Sequence, residues 1–199
     1  MATIVAIEKD GVIYAGFDAV KQRCDVKYYV TSEENLNLHK MKSGVLVYSV
    51  GIAAFAQQMW LHDEWFDLEE DEEFDKEFIV TKIIPKFYEA TKDFNKWEED
   101  RGVSRVDTGF LMIYKDSMYY IFNDLCVMKC KGIACMSNED EDMQVFAYAK
   151  AYMEKHPDAS PEDVIKETFK FAAPLNRSVN LHGYLINTKD LEFKEMGIK

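Results

Sequence analysis

The residues predict an α+β protein built from antiparallel sheets, and three observations carry that prediction. Asp10-Gly11 separates two apolar runs, Thr3 to Ile7 and Val12 to Gly16, and Asp-Gly between such runs is a strong hairpin signal. Strand-like and helix-like stretches come in blocks, strands before helices and then strands again, with no alternation of single strands and helices. Both helical blocks are amphipathic, so each needs a sheet to cover its apolar face. Two stacked sheets between two helix layers, a four-layer αββα sandwich, would bury all of these faces.

With 199 residues and no Pro/Gly/Ser-rich linker, a single domain spanning 1–199 is expected. Hydrophobic residues make up 48% of the chain and aromatic residues 14%, enough for a substantial core and well outside disordered compositions. A formal charge of -12 without a basic stripe argues against a nucleic-acid partner, because binding a phosphate backbone begins with lysine and arginine. No apolar run approaches the length that spans a bilayer, and the N-terminus has no signal-like apolar segment. The expectation is a cytoplasmic protein with no membrane partner.

After the opening hairpin, Lys27 to Val30 and Leu36 to Met41 read as short strands, and Val45 to Val50 as a buried strand that ends at Gly51. Ile52 to Leu61 suits a helix. Asp63 to Asp75 carries nine carboxylates and no lysine or arginine, which reads as a solvated connection or a first helical turn. It lacks the central glycine of a calcium loop. Apolar and aromatic residues then recur at helical spacing from Phe74 to Trp97, the longest amphipathic helix expected, with Pro85 kinking or dividing it.

Glu98 to Asp107 reads as a polar connector. Four strands at meander spacing follow, Thr108 to Tyr114, Met118 to Phe122, Cys126 to Cys130 and Ile133 to Met136, which predicts one antiparallel sheet. The acidic Asn138 to Asp142 leads into a helix with Met143, Phe146, Ala147 and Met153 on one face. Ser160-Pro161-Glu162-Asp163 is a strong helix start, with Val164, Ile165, Thr168, Phe169 and Ala172 as the buried stripe. Val179 to Asn187 and Leu191 to Lys194 close the chain as a hairpin.

Cys24, Cys126, Cys130 and Cys135 form no C-x-x-C pair, so they are expected to be free, buried thiols and not metal ligands. His39, His62, His156 and His182 have no Ser or Cys partner at a motif spacing, so no hydrolase triad is expected. No cofactor motif is present.

Residues 2 to 18 carry Ile4-Val5, the turn Gly11 and a closing Ala15-Gly16-Phe17-Asp18. In these features and in element order the chain resembles the proteasome β-subunit and HslV group of N-terminal nucleophile hydrolases. That resemblance implies a free N-terminal threonine as nucleophile, its own amine as base, a Lys and an Asp that set the electrostatics, and a strand-to-helix glycine as oxyanion donor. Carried onto this sequence, the Asp falls on Asp18, the glycine on Gly51 and a supporting Ser on Ser137. The nucleophile position falls on Ala2, which has no hydroxyl. The lysine position falls on Asn37, with Lys40 three residues too late, and the later supporting Asp has no counterpart near Ala172 to Arg177. Thr3 is the rescue candidate after removal of Met1 and Ala2, but strand alternation turns it to the opposite face.

The resemblance therefore implies a proteasome-like subunit that has lost peptidase activity and serves in assembly or binding, as a homo-oligomer, a ring or with related subunits. An active threonine peptidase or amide hydrolase using Thr3 is the alternative. An unrelated acidic α+β binding protein, lacking the stacked sheets, is the third reading. Nothing in the residues specifies an ATPase partner.

Overall fold

Strand β1 (Ile4–Lys9) is buried from Ile4 to Ile7 on both of its faces. Such a strand needs cover above and below, and the rest of the chain supplies it. The computed structural model describes residues 3–23, 26–30, 36–94, 97–100, 103–137, 142–175 and 179–198. At 20–23, 26–29, 97–100, 103–104 and 142 it describes the backbone alone.

β1 turns through Asp10 and Gly11, both at positive φ (54° and 74°), into β2 (Val12–Asp18). Positive φ at both turn positions matches the twist of the flanking strands, as the Asp-Gly signal predicts. The first sheet is completed by β12 (Ile133–Met136) on the far side of β1, and by β13 (Gly183–Asn187) and β14 (Lys194–Glu195) beyond β2. The second sheet has the order β11 (Val127–Cys130), β10 (Ser117–Ile121), β9 (Thr108–Tyr114), β6 (Leu46–Gly51) and β5 (Leu38–Lys40). Every ladder in both sheets is antiparallel.

Alternation sorts side chains among three cores. Ile4, Ala6, Ile13, Ala15 and Phe17 meet Leu38, Leu46, Tyr48, Leu111 and Ile113 between the sheets. Val5, Ile7, Cys135 and Leu185 face α4 (Asp142–Lys155) and α5 (Pro161–Leu175). Val47, Phe110 and Met112 face α1 (Ala53–Leu61) and the helix containing Phe78, Ile83 and Phe87. The architecture is the expected four-layer αββα sandwich, in which Gly16 lets α5 approach: a Cβ there would run into Ile165 Cγ2.

Several elements differ from expectation. The four-strand block is split, because β12 leaves the meander to pair with the open edge of β1. Its residues Ala134, Cys135 and Met136 are buried on both faces, whereas β11 has two exposed positions, although each strand lies at the edge of its sheet. The long helix runs only from Lys76 to Thr91 and is interrupted: α2 (Lys76–Phe78), a π-helical turn (Ile79–Ile83) and α3 (Ile84–Thr91). Pro85 has no N–H to donate and its ring crowds the carbonyl four residues earlier, and a widened turn directly before it accommodates both. Trp97 belongs instead to the hairpin of β7 (Trp97–Asp100) and β8 (Val103–Val106), where a polar connector was expected. A further hairpin precedes β5, in which β4 (Val26–Tyr29) overlaps the strand expected at Lys27 to Val30 and its partner β3 (Val20–Arg23) was not expected.

On α4 the buried positions are Val145 and Ala149, while Met143 and Ala147 face solvent, so the expected apolar face is displaced. The stripe expected for α5 is buried at all five positions. Its cap also forms: Ser160 Oγ accepts the Asp163 N–H at 3.1 Å and donates to Asp163 Oδ2 at 2.7 Å. The acidic run forms a 3-10 turn (Asp63–Phe66) and a connection, with Asp75 capping α2 through the Phe78 N–H and Glu72 pairing with Lys82. Of the cysteines, Cys135 is buried, Cys130 half-buried and Cys126 exposed, none of the three in a disulfide, so burial holds for one of these three; Cys24 lies outside the described residues.

Replacing Gly16 with Ala is expected to cost about 1–3 kcal/mol by overpacking against Ile165. Denaturant melts check this, and adding Ile165→Ala should recover part of the loss; a Gly16→Ala protein as stable as the parent would contradict the packing described.

Candidate functional site

The start of β1 brings three of the sequence-selected residues together. Ile4 pairs with Phe17 of β2 on one side and with Met136 of β12 on the other, so one step back Thr3 lies between Asp18 and Ser137. The Thr3 N–H donates to Asp18 Oδ1 at 2.9 Å, the Asp18 N–H donates to the Thr3 carbonyl at 3.1 Å, and Thr3 Oγ1 lies 2.8 Å from Ser137 Oγ. All three side chains are buried. Ala2 lies outside the described residues.

Parity decides which way Thr3 faces. Val5 and Ile7 point to the α4–α5 layer, and Thr3 shares their side of the strand, as its Ser137 partner shares that of Cys135. Its hydroxyl therefore stands on the helix side of the sheet, away from the space between the sheets.

Asp18 is wholly buried, and burial pushes its carboxyl from an ordinary value near 3.8 up to about 8. The Thr3 N–H, the N-terminal ammonium and the Asn180 backbone pull the other way without offsetting desolvation. Asp18 Oδ2 has no hydrogen-bond partner among the described residues. A carboxyl in this position holds its proton at neutral pH unless a cation comes close.

No such cation is supplied at the position that the resemblance gives to lysine. Asn37 sits in a bend before β5, its carbonyl accepting the Ser49 N–H at 3.2 Å. Its neighbours Leu36 and Leu38 are in the inter-sheet core, so alternation puts Asn37 with His39, whose ring stacks on Trp60 at 3.9 Å. Lys40 is exposed and donates to the Leu191 carbonyl. Among the residues whose side chains are described no lysine is buried. Phe17, one residue before Asp18, lies on the inter-sheet side of β2, with its ring centroid 5.9–6.3 Å from those of Tyr48, Tyr184 and Phe193.

Gly51 ends β6 at φ 133°, exposed, where the chain turns into α1. A Cβ there would meet the Asp107 carbonyl and, at 2.5 and 2.7 Å, Thr108 Cα and Oγ1, so both conformation and space require glycine. Thr108 holds this turn: the Ile52 N–H donates to Thr108 Oγ1 at 2.9 Å and to the Asp107 carbonyl at 3.0 Å, and Thr108 Oγ1 donates to that carbonyl at 2.6 Å. Sequence reasoning took Thr108 only as the first residue of a strand. Nothing in its local pattern marks it as the partner of a turn 56 residues away.

The described residues bring no three His, Cys, Asp or Glu side chains together as metal ligands, the acidic run included. Surface cavities of about 240 and 380 Å³ are lined by residues other than Thr3, Asp18, Gly51 and Ser137.

No family sequence profile matches the chain, and no curated protein matches it in sequence. Solved structures do share its architecture. BPH of Thiobacillus denitrificans, in complex with epoxomicin, aligns with a TM-score of 0.73 at 15% identity, covering 96% of this chain and 99% of that one. Eukaryotic HslV from Trypanosoma brucei aligns with a TM-score of 0.60 at 13% identity, covering 93% and 98%. The Anbu (Gly-1) mutant from Hyphomicrobium sp. strain MC1 aligns with a TM-score of 0.64 at 12% identity, covering 98% and 87%. At these identities the likeness is one of fold, and the fold is proteasome-like.

The raised Asp18 carboxyl has a signed consequence. Between about pH 4, where an unfolded Asp ionises, and about pH 8, the folded chain binds a proton that the unfolded chain releases, so this residue lowers stability as pH rises and its cost levels off above pH 8. Asp18→Asn is expected to raise stability at pH 8 by at least about 1 kcal/mol and to leave pH 4 nearly unchanged. Urea melts at both pH values check it, and a mutant curve parallel to that of the parent would show Asp18 to be ionised in the fold.

Proposed function

We propose that the chain is a proteasome-like subunit without threonine-peptidase chemistry, which acts in assembly or binding. The observation that carries this reading is the chemistry missing around Asp18. A threonine-type attack needs a terminal hydroxyl, an amine to take its proton and a cation beside the carboxylate. In this sequence the nucleophile position is Ala2 and the lysine position is Asn37, which alternation places with His39 on the side of β5 away from the inter-sheet core. Asp18, Gly51 and Ser137 remain as parts of the frame. Without a nucleophile they have nothing to activate.

On this reading the whole chain, 1–199, is one domain that works in the cytoplasm without a cofactor or nucleic acid. It assembles with copies of itself, in a ring or otherwise, or with related subunits. Among the described residues no helix is long and apolar enough to cross a membrane.

The second reading, an active hydrolase with Thr3 at its terminus, rests on one geometric fact. A freed Thr3 amine would lie on Asp18 Oδ1 with the hydroxyl on Ser137. Against it, that hydroxyl faces the helix layer and is already hydrogen-bonded.

Fluorogenic-peptide assays on protein whose N-terminus has been verified by mass separate the two. The proposal expects no turnover above background, loss of Met1 at most, and no uptake of epoxomicin, the ligand of the BPH neighbour. Turnover abolished by Thr3→Ala in a chain that begins at Thr3 would overturn it in favour of the second reading.

A further inference from the structure

A cavity of about 240 Å³ opens where the end of β1 meets the connection from α4 to α5, at the opposite end of that strand from Thr3. Its lining is mainly apolar. Ile7, Pro161 and Val164 are buried, Met153 and Ala159 half-buried and Pro157 exposed, so hydrocarbon runs from the depth of the cavity to its mouth. The connection between the helices holds this space open. The Ala159 N–H donates to the His156 carbonyl at 3.0 Å, Ser160 and Asp163 cap α5, and Pro157 and Pro161 have a fixed φ, while the Ala159 methyl is too small to fill the gap. Pre-formed apolar cavities with a few polar groups at the rim are the ordinary form of a small-molecule site.

Size and charge select the ligand. An apolar cavity of about 150 Å³ holds benzene, so this larger one takes a chain of about six carbons or a substituted ring. At the rim, Lys9 Nζ donates to the Ala159 carbonyl at 3.3 Å, which fixes the ammonium beside the mouth with further donors to spare. His156 adds an imidazole, its ring 4.4 Å from that of Tyr152. Glu8 is the carboxylate among the lining residues, and its Oε1 accepts the Gly11 N–H at 3.3 Å, within the β1–β2 turn. A cation held at the mouth of an apolar cavity matches an anionic head on a hydrocarbon tail. We infer that this cavity binds a small apolar carboxylate, its hydrocarbon part against Ile7, Met153 and Val164 and its carboxylate on Lys9. The site shares no residue with Thr3, Asp18, Gly51 or Ser137 and is independent of whether peptide cleavage has been lost.

Hexanoate, hexanol and hexylamine, titrated into the full chain isotope-labelled at its methionine methyls, test it by NMR. Hexanoate is expected to shift the Met153 methyl saturably and to leave that of Met128, 46% exposed on β11, unmoved. The neutral hexanol should bind about fivefold more weakly, the scale of one exposed charge pair, and hexylamine more weakly still. Lys9→Gln should bring hexanoate down to the affinity of hexanol. Ala159→Phe, which fills the cavity and leaves the backbone acceptor of Lys9 in place, should abolish the Met153 shift; thermal melts confirm that both variants are folded. No saturable shift at Met153, equal binding of hexylamine and hexanoate, or a folded Ala159→Phe protein that binds hexanoate like the parent overturns the site. A Lys9→Gln protein with unchanged hexanoate affinity overturns the assignment of a carboxylate to it.

Discussion

Everything else in this molecule depends on β1 being buried on both faces. A strand with Ile4 and Ala6 on one side and Val5 and Ile7 on the other finds no stable place at a surface, so it requires a sheet beneath it and helices above it. Its two edges are taken by β2, held by a two-residue turn, and by β12, which arrives from far along the chain. The four layers follow from that central position. So does the meeting of Thr3, Asp18 and Ser137, because each lies one residue beyond the terminal pair of the β1–β2 or β1–β12 ladder.

The same constraint sets the chemistry at the end of the strand. Side chains there have a fixed side, between the sheets or under the helices, and the two sides differ in content. Between the sheets, Phe17, Leu38 and Tyr48 make the space apolar and filled. Under the helices, Thr3 and Ser137 satisfy each other while Asp18 keeps a buried oxygen without a partner. A buried carboxyl is tolerated when it is neutral, and desolvation, which outweighs the Thr3 N–H and the N-terminal ammonium, raises its pKa.

Charge is divided as unevenly as polarity. The α1–α3 layer and its acidic connection carry most of the negative charge, with Asp75 used as a helix cap and Glu72 and Asp63 in exposed ion pairs with Lys82 and Lys42. Exposed pairs of this kind contribute little stability, so the run mainly keeps that side solvated. The α4–α5 layer lacks this protection and exposes apolar side chains in its place.

By itself the sequence determined the fold class, the opening hairpin, the β6-to-α1 turn at Gly51 and the cap and buried stripe of α5. Each of these is written in short-range signals: Asp10-Gly11, a strand-length apolar run closed by glycine, Ser160 with Asp163, and a stripe at helical period. It also placed Asp18, Gly51 and Ser137 as candidates and turned Thr3 to the other face, because alternation along one strand is local. Only the tertiary structure decided which sheet received β12, since an apolar run shows that both faces are covered without saying by what. Of the hairpins β3–β4 and β7–β8 only the strand at Lys27 to Val30, which overlaps β4, was expected; β3, β7 and β8 were missed because neither hairpin joins the two main sheets and no alternation marks them. Tertiary packing alone placed Val145 and Ala149 inward and left Met143 and Ala147 in solvent, and it alone filled the space between the sheets with Phe17, Leu38 and Tyr48. That filling depends on residues from both sheets meeting across a gap, a long-range relation to which no window of the sequence corresponds.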